Sequence, residues 1–318
     1  MSHEYDVLVY GTVCLDVLWR VAALPPPGGY VDILEERREI GGEAANTAIA
    51  LARWGVRVAL VGNALGDDEE GRLLRTLFAR DAPEIDLRFL TASAAAFTPY
   101  CVCMSTPDGQ RTMFGYRFTE MQPPLLDPAL AASSRLFTME PNAYDAGAAA
   151  CMAAASAGMF TLPMDYAKDS AINAIASQVV TSSEHIGRDL SASALADFAA
   201  RVRDDCGPTT IVTWGEHGCF VAESGRSGQP AVSIPAYVAP SVVDTTGSGD
   251  IFRAGLLYGQ LQAWDILTTV RFASAAAALN CGEMGGWCGV RSLSEIQEFQ
   301  RTALTHSETS PHPGPAPS

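Results

Sequence analysis

Val243-Asp244-Thr245-Thr246-Gly247-Ser248-Gly249-Asp250-Ile251-Phe252-Arg253-Ala254-Gly255 sets a glycine-rich turn directly before an acid and an apolar segment that can start a helix. Glycines at 247 and 249 let backbone amides approach an anion closely, with the positive end of a helix dipole behind them. Phosphate chemistry is one reading. Asp250 would then sit beside a group it should repel, unless it takes a proton from a hydroxyl that attacks that phosphate. The plainer reading is a turn in which Asp is an ordinary helix cap. This window alone leaves both open.

The flanking sequence supplies a frame. Residues 6–10 form a short apolar run ended by Gly11, the pattern of a buried first strand of a parallel sheet. Residues 43–54 have helical spacing, with Gly55 as a stop and 56–62 as the next strand. Residues 67–80 repeat the helix and 87–90 the strand. Further strands are expected at 136–139, 159–164, 178–180 and 210–213, with helices such as 143–157 and 191–206 between them. This alternation predicts an α/β fold with a central, mostly parallel β-sheet flanked by helices.

Two stretches break the alternation. Pro25-Pro26-Pro27-Gly28-Gly29 divides the first, about 14–40, into two exposed strands, and Pro107-Asp108-Gly109-Gln110 marks a hairpin in the second, 97–118. Together they are expected to form a small sheet covering one edge of a single domain over 1–304. Residues 305–318, rich in Pro and Ser without apolar periodicity, read as a disordered tail.

Composition narrows the function. Of the 318 residues, 48% are hydrophobic and 18% charged, a globular balance, and no apolar run is long enough to span a bilayer. The N-terminus lacks the basic and apolar regions of a signal peptide, which predicts a cytoplasmic protein. A net charge of −15 argues against nucleic-acid binding. The eight cysteines show no CxxC pair or zinc-ligand spacing and read as reduced thiols; Cys101 and Cys103 share one strand face, a weak two-thiol pattern. The only lysine is Lys168, so essential cationic contacts fall to arginine, a metal or backbone amides. It also excludes a Gly-x-x-x-x-Gly-Lys phosphate loop.

Other windows carry candidate groups. Gly41 and Gly42 precede a helix holding Asn46, which both donates and accepts hydrogen bonds, and Asp16 follows the first strand, where α/β sheets present ligand groups. An acceptor-only carboxylate there suits pairs of sugar hydroxyls; surface polar residues at ordinary turns are the alternative. Thr213-Trp214-Gly215-Glu216-His217-Gly218 fits a nucleotide-phosphate turn or a plain hairpin, the hairpin being favoured. Residues 280–289, with four glycines and Trp287, leave room for a flat base or form a simple helix end.

Together, Gly41-Gly42-x-x-x-Asn46 with Leu51-Ala52-x-x-Gly55, and Asp244-Thr245-x-Gly247-x-Gly249-Asp250 with Phe252-x-Ala254-Gly255, resemble the ribokinase-like (PfkB-type) carbohydrate kinases. Gly62, Gly66-Asp67-Asp68 with Gly71, and Thr213-x-Gly215-x-x-Gly218 extend the resemblance over about residues 6–293. It implies a small β-sheet lid that often forms a dimer contact, hence a homodimer. It also implies Asp250 as the base and the amides of Gly247, Ser248 and Gly249 as an anion hole for the γ-phosphoryl group of ATP. Asp16, Gly41, Gly42, Asn46 and Glu140 match sugar-binding positions. Thr213, Gly215, Gly218 and Asn280 fall to the nucleotide. Glu184 matches the acid that organises Mg²⁺, and Asp244 and Thr246 align with ligands of a monovalent cation such as K⁺.

Three positions depart from the family pattern. Ser248 replaces the usual alanine of the anion hole, Thr181-Ser182-Ser183-Glu184 keeps only the acid of Asn-x-x-Glu, and Glu43 stands where ribokinase has lysine. The expected activity is ATP-dependent phosphorylation of a hydroxyl on a sugar, polyol or sugar acid. A nucleoside kinase is the alternative if lid rings such as Tyr100, Phe114, Tyr116 and Phe118 stack on a base. A non-catalytic sugar- or nucleotide-binding regulator is the third.

Overall fold

The computed structural model describes residues 3–303 other than 108, 110, 122 and 188, with the backbone alone for Tyr144. The first half runs through β1 (Tyr5–Gly11), β2 (Cys14–Val21), β3 (Ile33–Gly41), α1 (Glu43–Arg53), β4 (Val58–Gly62), β5 (Leu65–Gly66), α2 (Glu69–Asp81), β6 (Ala92–Ser93), β7 (Tyr100–Ser105) and β8 (Arg111–Tyr116). Next come α3 (Pro128–Ala132), β9 (Ser134–Met139), α4 (Tyr144–Ser156), β10 (Phe160–Pro163), α5 (Ser170–Asn173), β11 (Gln178–Ser182) and α6 (Ser183–Ile186). The chain ends with α7 (Ala192–Cys206), β12 (Thr209–Thr213), β13 (Cys219–Ala222), β14 (Val232–Ile234), α8 (Ser248–Leu261), α9 (Ile266–Asn280) and α10 (Leu293–Thr302).

Two ladders, β4-β1-β9-β10 and β11-β12-β13-β14, meet side by side through a parallel bridge between Met164 and Val180. Strands β4 through β12 in that order run parallel, and β13 and β14 turn back antiparallel. A parallel strand covered on both faces must be apolar on both, and Val7, Leu8, Val9 and Tyr10 of β1 are all fully buried. Alternation splits them: Val7 and Val9 join the core with residues of α1, α8 and α9, while Leu8 and Tyr10 join the core with residues of α3 and α4. Small residues let α8 and α9 cross closely, since a Cβ on Gly255 would lie 2.5 Å from Ala273 Cα.

A separate sheet, β3-β2-β7-β8, is built from the two interrupting stretches, with β2 and β7 parallel at its centre. The central position buries most of β2, which the sequence reading had exposed. Of the hairpin turn, Asp108 and Gln110 lie outside the described residues, as does the expected tail at 305–318. Residues 87–90 are not a strand. Leu87–Phe89 is a 3₁₀ turn, because Asp86 Oδ1 accepts from Arg88 N at 3.0 Å and closes the backbone locally. No helix among the described residues is long and apolar enough to cross a membrane.

Candidate active site

The amino-terminal turns of α1 and α8 meet at Asp250. Asn46 Nδ2 donates to Asp250 Oδ2 at 2.9 Å, and Thr47 Oγ1 donates to Asp250 O at 3.2 Å. Gly247 opens α8 in the left-handed region, φ +73°, and a Cβ there would lie 2.0 Å from Gly286 O. Glycine is required on both counts. First-turn amides of a helix have no intrahelical acceptor, so those of Gly249 and Asp250 are available to an anion. Ser248 N donates to Thr245 O at 3.3 Å.

The loop after α9 braces this turn. Asp244 Oδ1 accepts from Thr246 N at 2.9 Å and Thr246 Oγ1 at 2.7 Å, and Asp244 Oδ2 accepts from Gly285 N at 3.0 Å. Asn280, fully buried, donates from Nδ2 to Gly286 O at 3.1 Å and Thr246 O at 3.4 Å. Asn280 Nδ2 therefore braces the 244–247 turn, while its buried Oδ1 has no partner among the described residues. Trp287 is likewise core, its Nε1 donating to Ile40 O at 2.7 Å.

Two arginines escaped the sequence reading of the site. Arg253 is fully buried; its guanidinium donates to Met139 O at 3.2 Å, Glu43 O at 2.6 Å, Thr47 Oγ1 at 2.8 Å and Asp250 Oδ1 at 3.4 Å. A cation inside the apolar run of α8 was the available signal. Arg111 reaches from β8 to donate to Thr245 O at 2.8 Å and Thr245 Oγ1 at 3.1 Å. It lays a positive charge on the phosphate turn.

The remaining carboxylates gather at the carboxyl ends of the parallel strands, where open α/β sheets bind ligands. Glu140, just past β9, is fully buried: Oε1 accepts from Thr12 N at 2.5 Å and Thr12 Oγ1 at 2.6 Å, and Oε2 from Asn142 N at 2.6 Å. Both oxygens thus have protein partners, so Glu140 ties the ends of β1 and β9 together. Asp165, past β10, sits at φ +60° and accepts from Thr181 Oγ1 and Ser182 N, each at 2.8 Å. Asp16 lies against Gly41, whose absent side chain makes the room: a Cβ would fall 2.1 Å from the Asp16 carboxyl carbon.

Crowding of acids in a dry site shapes their protonation. Burial pushes Asp250 up to about 6, against the pull of Arg253 and of the Asn46 hydrogen bond, while Glu140 adds repulsion. Burial pushes Asp16 up to about 7, with Asp250 and Asp244 adding to it. Glu43 rises well above the usual range, first from burial and then from Glu140 and Asp250. Its Oε1 accepts from Asn142 Nδ2 at 3.2 Å.

The expected nucleotide residues gather on neighbouring segments. Ser182 and Thr213 are register partners at the ends of β11 and β12, Thr213 Oγ1 donates to Thr181 O at 3.4 Å, and exposed Glu184 follows in α6. Residues 213–218 form the hairpin between antiparallel β12 and β13, as favoured, with Gly215 open to solvent. Of the four candidate stacking rings, alternation puts Tyr100, Phe114 and Tyr116 on the face opposite Asp16, Cys101 and Cys103; Tyr100 and Tyr116 pair there at 4.8 Å. Phe118 alone packs with the inner face, against the cluster of Leu18, Cys101, Cys103 and Met284.

An acid in the first turn of a glycine-opened helix, beside the strand ends of an open α/β sheet, makes this a small-molecule site. The model of the pfkB family carbohydrate kinases matches residues 5–288, and the chain belongs to that family. It is 31% identical over 301 residues to acarbose 7(IV)-phosphotransferase of Actinoplanes sp., covering 88% of this chain and 93% of that protein. It is 27% identical to the nucleoside kinase of Methanothermobacter thermautotrophicus, covering 93% and 95%. The ribokinase of Arabidopsis thaliana, solved with ribose and ATP, shares the fold at a TM-score of 0.79 and 18% identity, covering 95% of this chain and 99% of that one. The protein is a kinase of the carbohydrate kinase type that defines this family.

Proposed function

We propose that the protein transfers the γ-phosphoryl group of ATP to a hydroxyl of a sugar, a related polyol or a sugar acid. The observation that carries this is the Asp250 carboxylate, buried and aimed by Asn46 and Arg253 at the mouth of the glycine-opened α8 turn. Asp250 takes the proton of the acceptor hydroxyl; the hydroxyl's oxygen bonds to the γ-phosphorus as the bond from that phosphorus to the β,γ-bridging oxygen breaks, and ADP leaves with that oxygen. Of the amides at 247–249, that of Ser248 turns to Thr245 O, so those of Gly247 and Gly249, with Asp250 next in the helix, stabilise charge on the phosphoryl oxygens, a contribution of about 3–4 kcal/mol for such donors. Base catalysis adds roughly 10²–10⁴-fold. Arg111 supplies the positive charge that the scarcity of lysine leaves to arginine.

Asp16, Gly41, Gly42 and Asn46 form the sugar subsite, Asp16 accepting from hydroxyls and the glycines making space for it. Glu140 acts through Thr12 and Asn142 rather than on the sugar. ATP lies along Thr213, Gly215 and Gly218. Glu184 is an exposed carboxylate of the hard-oxygen type that suits Mg²⁺, which neutralises phosphate charge when bound. Asp244 and Thr246 would hold K⁺, the Asp244 carboxylate also accepting from Thr246 and Gly285. Exposed Leu34, Phe114 and Tyr116 on the outer lid face support a homodimer through the lid, and eight unpaired thiols fit a cytoplasmic setting.

The test is ADP release over a panel of hexoses, pentoses, keto-acid sugars, polyols and nucleosides, with Asp250→Asn as the blank. Activity above the blank on a sugar, polyol or sugar acid is expected. Preference for a nucleoside would move the acceptor to that class. Saturable binding without turnover on any member would make the protein a binding regulator.

A further inference from the structure

The inner face of the lid carries a group of side chains that phosphoryl transfer does not use. In β2, Cys14 and Asp16 share a face by alternation; in parallel register, Asp16 stands beside Cys101 of β7 and Leu18 beside Cys103. Cys101 Sγ and Cys103 Sγ are 3.5 Å apart, and Cys14 Sγ is 3.4 Å from Asp16 Oδ1. A carboxylate oxygen of Asp16 and the sulfurs of Cys101 and Cys103 all lie within 4.8 Å of one another, and every member is buried. Among the described residues this is the one group of three such side chains close enough to share an ion.

We propose that Cys101, Cys103 and Asp16, with Cys14 beside Asp16, form an inhibitory site for a soft or borderline divalent cation, Zn²⁺ or Cd²⁺ being the type. Thiolates select such ions over Mg²⁺, so the magnesium that travels with ATP does not compete for the site. Tetrahedral zinc with sulfur at about 2.3 Å and oxygen at about 2.0–2.2 Å needs ligand atoms roughly 3.4–3.8 Å apart; the Cys101–Cys103 sulfurs already stand at 3.5 Å, and an Asp16 oxygen within 4.8 Å of both closes the rest by a side-chain rotation. A disulfide between Cys101 and Cys103 fits less well. Residues i and i+2 of a strand are about 6.6 Å apart, at the long end of disulfide spans, with side chains pointing the same way. Cation binding releases the thiol protons to solvent, takes Asp16 as a ligand and ties β2 to β7. It thereby removes Asp16 from a sugar, a consequence that rests on the sugar role proposed above.

The experiment uses the full-length reduced protein in chelator-treated buffer, titrated with Cd²⁺ while the thiolate-to-cadmium charge-transfer absorption is read. One equivalent per chain is expected. In Cys101→Ser/Cys103→Ser, or Cys101→Ala/Cys103→Ala where serine disturbs the fold, affinity is expected to fall at least tenfold while ADP release is retained. In the unsubstituted protein, Zn²⁺ is expected to inhibit ADP release competitively with the sugar. No absorption at a tenfold excess of Cd²⁺, or the same titration in the double variants, overturns the site. A titration that requires Cys101 and Cys103, with inhibition insensitive to sugar, upholds the site and overturns the role of Asp16 in the sugar subsite.

Discussion

The two sides of the site are built by different means. The floor, where α1 meets α8, is held by buried charge and hydrogen bonds that cross more than 200 residues of chain: Asn46 to Asp250, Arg253 to Thr47 and to Glu43 O. The lid meets the 244–247 turn and the loop after α9 through Arg111 and Gly109 at Thr245, through Ile40 O, which accepts from Trp287 Nε1, and through an apolar and thiol cluster around Leu18 and Met284. Its polar ties run mostly to backbone groups, whereas the floor ties buried charged and amide side chains to one another, an arrangement with few alternatives. The floor suits chemistry that needs fixed geometry; the lid suits a surface that selects, admits and releases.

The largest expected effect lies in the floor. Asp250→Asn should lower turnover by about 10²–10⁴-fold while sugar and ATP binding, read by calorimetry, persist. Near-normal turnover would remove the chemistry from the floor. Next is Arg253→Met, which leaves Asp250 buried without its cation and the Glu43 and Met139 carbonyls without their donor. Loss of one partner of a buried pair costs about 3–5 kcal/mol, to be measured by denaturant unfolding; a loss below roughly 1 kcal/mol would mean the floor does not depend on it.

The lid should answer differently. Arg111→Ala is expected to lower kcat/KM for ATP by roughly ten- to a hundredfold, the worth of a charged hydrogen bond of about 1.5–3 kcal/mol, with unfolding stability unchanged. A stability loss matching that of Arg253→Met would erase the distinction between the two regions. The smallest and sharpest test is a pH profile. Asp250 acts ionised and burial holds it at about 6, so kcat/KM should fall as pH drops through 6. Asn46→Ala removes a hydrogen bond that lowers this value, so the acid limb should move to higher pH. A limb that stays in place would detach Asn46 from the base.

Much of the floor was readable because its parts are local. Gly41–Asn46 and Asp244–Asp250 each combine a close-approach glycine with a polar group one turn away, and helix geometry fixes where those groups stand. Arg253 was not readable, because its acceptors are backbone carbonyls at Glu43 and Met139 that only folding brings to it. For Asn280 and Glu140 sequence position gave the neighbourhood, and burial and hydrogen bonding added what it could not: Asn280 Nδ2 braces the 244–247 turn and Glu140 ties Thr12 to Asn142. Residues 87–90 failed as a strand because the Asp86 side chain outcompeted a ladder for the Arg88 amide.

By itself the sequence determined the α/β alternation, the two lid excursions and the family, because periodicity and glycine placement act within a few residues. Tertiary structure alone decided which lid rings face Asp16, that Cys101 and Cys103 stand within reach of the Asp16 carboxylate, and that two arginines reach the 244–247 turn and Asp250. Those facts depend on strand register and on contacts between distant segments, which no local pattern encodes.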